Sequence, residues 1–385
     1  MRGQPGGVGR MGRWRGLILF WALIAVTLGG GAVSLQVLGP LAPPPLAHSA
    51  LVQPALVQPE PGKTSANPLP ETEKPAQVKI VTHAAPERAE PAPPKRGQRP
   101  GSVLAGPIAA PDPALLEPGN GGEAGMLPRI GADGRTPGQV YARGFAAEAG
   151  RPQIGLVLAG IGMNDSESAQ AIASLPAELT LAISPYGAPN PALLEHARRA
   201  GHELLLAIPM EPMGYPLNDP GEHALLTGAM PEQNKRNLDW ALGRFAGYAG
   251  VTSALGGRLN GERFPMLADQ MRPVLSDLAA RGLFYVDARV LPKSETGAPP
   301  PALPQVWSRS IDLIVDDPAD AAALETKLTA LEAIARDKGS ALGLVGMASP
   351  VVLERLAAWT NGLAGRGFAL APASALMRPP GEAPE

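Results

Sequence analysis

The stretch "IGLVLAGIGMNDSE", residues 154–167, decides how the folded part of the chain is read. Ile154, Leu156, Val157 and Leu158 form an apolar run without charge, the pattern of a strand buried on both faces. Gly160 and Gly162 break the run with a turn. Asn164, Asp165, Ser166 and Glu167 then offer the polar start of a helix. Strand, glycine turn and helix start together make the opening unit of an α/β fold, whose chemistry is placed at the carboxyl ends of the strands. In this chain that position holds Ala159 and Gly160, and neither carries a reactive group.

Working outward, the same pattern recurs. "LTLAIS", "ELLLAIP", "VTSALGG", "LFYVDAR", "IDLIV", "ALGLVGM" and "FALAP" read as further strands. Helical stretches separate many of them. "NPALLEHARRAG" has an Asn-Pro start and a glycine stop, and "MPEQNKRNLDWALGRFAG" begins with Pro231 in its first turn. "FPMLADQMRPVLSDLAARG" ends at glycine and carries Pro273, which predicts a kink. "ADAAALETKLTALEAIARDKG" and "SPVVLERLAAWTNGLAGRG" complete the set. The reading is an α/β fold with a parallel sheet covered by helices. About seven or eight units over residues 152–377 favour a distorted (β/α) barrel, with a doubly wound open sheet as the alternative. No GxGxxG follows the first strand, so a dinucleotide site has no support and no cofactor is expected.

Upstream the chain changes character. Arg2, Arg10, Arg13 and Arg15 precede "GLILFWALIAVTLGGGAVSLQVL", and no Lys, Arg, Asp or Glu lies between Gly16 and Pro59. Such a run predicts a membrane-spanning helix over 16–38, with a basic cytoplasmic tail at 1–15 and the bulk of the chain outside the cytoplasm. A cleaved signal peptide is the alternative, although its apolar core would be shorter. In a bacterial cell this places the folded part on the periplasmic side of the inner membrane. Residues 39–151, with "LAPPPLA" and "ERAEPAPPKRGQRPG", read as a proline-rich, disordered linker, with a possible short helix in "GQVYARGFAAEAG". Residues 378–385 read as a tail.

Composition narrows the partners. A net charge of −2 offers no basic excess for a phosphate backbone, so no nucleic acid is expected. The 385 residues contain no cysteine, which excludes disulfides and zinc–thiolate sites. Candidate site residues are the charged groups at the strand ends: Glu211, Asp287 with Arg289, and Asp316. Each has a structural alternative. Glu211 would cap a turn, Asp287 and Arg289 would pair on the rim, and Asp316 would cap a helix starting near Pro318. Tyr186, Met210 and Asn164 are candidates for contacting a substrate. Tyr215, Trp307 and Phe264 would join Tyr186 in lining a groove. His196, His202 and His223 read as surface or capping histidines.

At these residues the chain resembles the divergent polysaccharide deacetylase family, relatives of the carbohydrate esterases with a distorted (β/α) barrel. "AGHELLLAIPMEP", "TLAISPYGAP" and "MRPVLSDLAARGLFYVDARV" carry the resemblance, which runs from about residue 153 to 372. It implies a metal-assisted deacetylase: a divalent ion on about three His and Asp ligands would activate a water and polarise the acetyl carbonyl. The family's paired aspartates align with Ala159 and Gly160. Its Asn-His-Met-Gly-Ser block becomes "SALGGR", with Ala254 at the histidine position, and its Gly-His-Pro becomes "GMASP". The expected metal ligands are therefore missing.

Three functions follow as expectations. The first is a membrane-anchored protein of cell-envelope carbohydrate metabolism that binds glycan without metal-dependent catalysis. The second is an active deacetylase or hydrolase with a site remodelled around Glu211, Asp287 and Asp316. The third is an envelope module whose barrel binds another protein.

Overall fold

The computed structural model describes residues 106–119, 124–147, 150–187, 190–257, 259–290, 306–317 and 320–381. The basic tail at 1–15, the predicted membrane helix at 16–38 and the linker up to residue 105 lie outside the described residues. Among the described residues, no helix is long and apolar enough to cross a membrane.

The packed chain begins well before residue 151, which corrects the expected linker boundary. A two-stranded antiparallel hairpin, β1 (Leu116–Pro118) and β2 (Met126–Pro128), comes first. A one-turn helix follows, α1 (Pro137–Val140), held by a capping box in which Thr136 and Gln139 each bond the other's backbone N–H. Such a cap stabilises a helix start by about 1 kcal/mol. Composition hid this segment, but Leu115 and Tyr141 are buried in the core.

The main sheet is parallel throughout. Its opening units are β3 (Gln153–Ile161), α2 (Asp165–Ser174), β4 (Thr180–Ile183), α3 (Pro191–Ala200), β5 (Leu204–Ala207) and α4 (Pro231–Leu242). Next come β6 (Gly250–Thr252), α5 (Ala268–Ala280), β7 (Phe284–Asp287), β8 (Ser308–Ser310) and β9 (Leu313–Ile314). The last elements are α6 (Ala321–Lys338), β10 (Ser340–Val345), α7 (Pro350–Leu363) and β11 (Ala369–Leu370). The helix boundaries follow from their punctuation. Asn164, Asn190, Asp320 and Ser349 cap the amino ends, and Gly201 and Gly339 take the left-handed conformation that ends α3 and α6. Pro273, where a kink is expected, lies inside α5, which continues through it.

The spatial order is β8-β7-β6-β5-β4-β3-β10-β9, with β11 beside β3. This order is cyclic. From β3 the chain steps strand by strand to β8, then returns through β9 and β10 to the other edge of β3. The open-sheet alternative would reverse direction partway; here the sheet curls into an incomplete barrel. Its seam falls inside one short segment. Ile311 donates its N–H to Asp287 O on the β7 side, and Asp312 donates to Leu342 O on the β10 side. The side chains of Arg309 and Asp312 pair at 2.8 Å across the same seam. Arg378 exchanges both backbone hydrogen bonds with Ser308, so the chain belongs to the fold past residue 377.

Alternation along the strands makes two cores. One lies between sheet and helices and includes Leu156, Leu158, Leu204, Leu206, Tyr285 and Val345. The other lies inside the curl and includes Val157, Ala159, Ala182, Leu205, Phe284, Val286 and Leu344. Ile108, Leu115, Tyr141, Ala373 and Leu376 join this inner core, so segments before and after the sheet are packed together with it.

Candidate functional site at the carboxyl ends of the strands

At the carboxyl end of β3 the backbone turns at Gly160, with φ of +76°. Two other strand ends converge on it. The loop after β6 turns sharply at Leu255 to Leu259, where each N–H reaches back across the turn. It reaches the end of β10 through a hydrogen bond from Gly257 N to Gly346 O at 2.7 Å. A Cβ built on Gly256 would stand 3.0 Å from Gly160 Cα, and one on Gly346 would stand 2.9 Å from Gly257 O. Gly256 also has φ of +129°, open in practice only to glycine. Three strand ends thus meet backbone to backbone: Gly256 and Gly346 leave a Cβ too little room, while at Gly160 a Cβ would meet only ordinary contacts from 3.6 Å and the constraint is its positive φ. Ala159 and Ala254 beneath them are fully buried.

This arrangement tests the fit of the metal that the resemblance implies. A divalent ion needs His or Asp donors converging on an open position. The aligned positions present Ala159, Gly160, Ala254 and "GMASP", none of which carries a carboxylate or an imidazole. Among the described residues no three His, Asp or Glu side chains form a metal-holding group. The residues present do not fit the ion.

Each charged candidate is tied into its own local structure. Glu211 is buried; its Oε2 accepts from Thr227 N at 2.6 Å and Thr227 Oγ1 at 2.8 Å, and Oε1 pairs with Arg263 at 3.1 Å. It clamps the loop after β5 to the loop after β6. Asp287 is buried and forked by Arg289, whose Nη2 lies 2.6 Å from Oδ2. Phe284, Val286 and Ala288 belong to the inner core, while Tyr285 belongs to the helix side. By the same alternation Asp287 falls on the helix side of β7 rather than inside the curl. Asp316 accepts the N–H groups of Gly346 and Met347 at 2.8–2.9 Å. Burial pushes its carboxyl pKa up, against the pull of those N–H donors. The expected helix cap is Asp320 instead, whose side chain takes Ala323 N–H.

The other candidates are similarly occupied. Asn164 caps α2, its Oδ1 accepting from Ser166 N and Glu167 N. Met210 is buried and bridged to Leu225. Tyr186 accepts a hydrogen bond from His223 N at 3.3 Å, and burial pushes its phenol pKa up to about 12. The proposed groove loses two members: Phe264 is fully buried, and Trp307 sits ahead of β8, at the amino side of that strand. His202 corrects the surface reading. It is fully buried, with Nδ1 3.0 Å from Leu179 O and Nε2 3.3 Å from Ile172 O.

The sequence reading passed over Trp240. Its ring stacks on His223 at 3.8 Å between centroids and lies 5.4 Å from Tyr186, with the Arg244 guanidinium 5.1 Å away. This stack pins the long connection between β5 and α4. The signal was available, since Trp240 falls on the buried stripe with Asn237 and Ala241.

The family model described as "Divergent polysaccharide deacetylase" matches residues 156–377. An uncharacterized protein from Agrobacterium tumefaciens C58 has a crystal structure 33% identical in sequence, with a TM-score of 0.58, covering 66% of this chain and 99% of that one. A family 4 carbohydrate esterase from Streptomyces lividans, solved in complex with acetate, is 16% identical with a TM-score of 0.33, over 62% of this chain and 100% of that one. No curated protein matches the chain. With the family model spanning more than half of its residues, the chain belongs to the divergent polysaccharide deacetylase family.

Proposed function

We propose that this protein works in cell-envelope carbohydrate metabolism as a glycan-binding family member without metal-dependent deacetylation, tethered to the inner membrane with its folded part on the periplasmic side. Family membership supports the carbohydrate assignment. The observation that supports the loss of metal chemistry is that Ala159, Gly160 and Ala254 stand where the resemblance expects carboxylate and imidazole donors. The arginine-flanked apolar run at 16–38 supports the tether.

The test is elemental analysis of the full-length protein together with acetate release from N-acetylglucosamine polymers. The expected result is no stoichiometric transition metal and no acetate, with retention of the protein on the same polymers. One tightly bound zinc, cobalt or nickel per chain, with acetate turnover abolished by a chelator, would overturn the reading. The tether is checked separately by reporter fusions after Arg151: an export-dependent reporter should be active and a cytoplasm-dependent one silent.

A further inference from the structure

Large apolar side chains are exposed at one end of the molecule in particular. Met163, Met213, Leu217, Met266, Val290 and Met347 are each between 45% and 94% exposed. All six lie in connections that leave the carboxyl ends of β3, β5, β6, β7 and β10. Two of them adjoin the glycine junction. Met163 N donates to Gly160 O, and Met347 follows Gly346, whose O accepts from Gly257. Isolated exposed apolar residues are ordinary, but a group on one face marks an interaction surface.

Carboxylates accompany these side chains. Met163 is two residues from exposed Asp165. Met213 N donates to Glu262 Oε2 at 3.2 Å, and Met347 N donates to Asp316, next to exposed Asp317. Asp219 and Glu222 are exposed in the same β5 connection as Met213 and Leu217. The described arginines at this end are already matched: Arg263 pairs with Glu211 and Arg289 with Asp287. Among the described residues the face is therefore apolar and rimmed by exposed carboxylates, of which Glu222 lies 3.3 Å from His223 Nε2.

We infer that the carboxyl-end face is a docking surface for a cationic amphipathic polypeptide segment. Charge complementarity selects this occupant. An anionic lipid surface would be repelled by the carboxylates. A glycan would favour open aromatic faces, whereas Tyr186, His223 and Trp240 are packed on one another. Methionine is flexible and polarisable, and it suits a surface that receives an apolar helix face. The docking site goes beyond the carbohydrate reading and stands without it.

The probe is a fluorescein-labelled lysine–leucine amphipathic helix, titrated into the full chain in zwitterionic nanodiscs, with empty discs as background. A glutamate–leucine helix and a chitosan oligosaccharide serve as controls. Saturable binding of the cationic helix, weakened by added salt and absent for the anionic one, is expected. The triple variant Met163→Ser, Met213→Ser, Met347→Ser should bind about tenfold more weakly with an unchanged melting temperature. If the triple variant misfolds, the pair Met347→Ser with Asp317→Asn takes its place with a smaller loss. Equal binding of both helices, or binding untouched by these variants, overturns the inference. So does binding only after deletion of residues 39–105, which would make this chain's own segment the occupant, or concentration-dependent self-association in place of peptide binding. Binding of chitosan alone would hand the face to a cationic glycan. Metal content and acetate release do not enter this test, so its failure leaves the carbohydrate reading where it was.

Discussion

At the amino ends of the strands, Glu203 is fully buried and accepts hydrogen bonds from Arg143 N, Thr180 Oγ1 and Ser374 N, while His202 beside it is enclosed between two carbonyls. At the carboxyl ends, Gly160, Gly256 and Gly346 meet as bare backbone, with methionines exposed around them. A barrel enzyme normally has the reverse arrangement, with ionisable groups converging at the carboxyl ends and packing left to the amino ends. Here the buried polar network serves to join the chain before β3, strands β4 and β5, and the segment after β11. The end where chemistry would sit is instead sealed by small residues. Under the proposed function, the difference teaches that the residues that build a fold and those that carry its chemistry are separable.

The sharpest way to break this comparison is at the amino end. Glu203→Ala strands three buried donors and removes packed volume, so it should destabilise the fold by about 3–5 kcal/mol. Glu203→Gln keeps the shape and part of the acceptor capacity and should lose less. Denaturant midpoints of the full chain measure both. An alanine variant no weaker than an average surface substitution would mean that Glu203 does not bind the segments together.

The carboxyl end is tested by adding single methyl groups. Gly256→Ala forces a side chain into a region of φ reserved for glycine and against Gly160, so a loss of about 2–4 kcal/mol is expected. The adjacent Gly257→Ala also has positive φ, but nothing lies within 4 Å of its Cβ. It should cost only about 1 kcal/mol. Equal losses at the two positions would show that strain alone, and not backbone contact with β3, governs this junction.

Much of this architecture was legible in the sequence. Apolar runs, glycine stops and Asn, Asp or Ser caps marked most strands and helices of 153–370 because those signals are local, but the three-residue polar strand β8 was missed. The hairpin β1/β2 was not legible, since its strands are three residues each and lie within proline-rich sequence without periodicity. The short helix read in "GQVYARGFAAEAG" was a local sign of order there, and the Thr136–Gln139 spacing, three apart, was another; the helix forms at the head of that stretch, at Pro137–Val140. The roles of the site candidates were less visible. Nothing in "DARV" says that Asp287 faces the helices, because that depends on register with neighbouring strands. Nothing in "VDDPAD" says that Asp316 holds the end of β10, because its partner N–H groups lie about 30 residues downstream, whereas Asp320 caps α6 through Ala323 N–H only three residues on.

pH probes the amino end with a smaller effect, through two neighbouring groups of opposite sign. Burial lowers the His202 pKa from its ordinary value near 6.5, opposed by the two carbonyls. The folded state thus favours the neutral ring, so the stability it contributes is present above pH 6.5 and is lost as pH falls below it. The slope is at most about 1.4 kcal/mol per pH unit. Glu203 has the opposite sign: burial raises its pKa, so its contribution is full below about pH 4.5 and fades as pH rises through the folded value. His202→Gln should flatten the loss of stability between pH 6.5 and 5, read from melting temperatures across buffers. An unchanged profile would assign the acid sensitivity to other groups.

The smallest expected effect lies in the exposed methionines. Met163 and Met347 touch water over about half of their surface, at 62% and 49% exposure, and neither side chain fills a core position. Replacing either with serine removes little buried apolar area, so stability should change by less than about 0.5 kcal/mol in each case. The backbone N–H of Met347 still bonds Asp316 in the variant, which leaves the end of β10 in place. A larger loss, above about 1 kcal/mol, would mean that the side chain is covered in the full-length protein by some part of the same chain. That result would remove the free surface from the carboxyl end and make both ends of the barrel structural. A change too small to detect would leave these methionines unexplained by folding, which is what a surface kept for a partner requires.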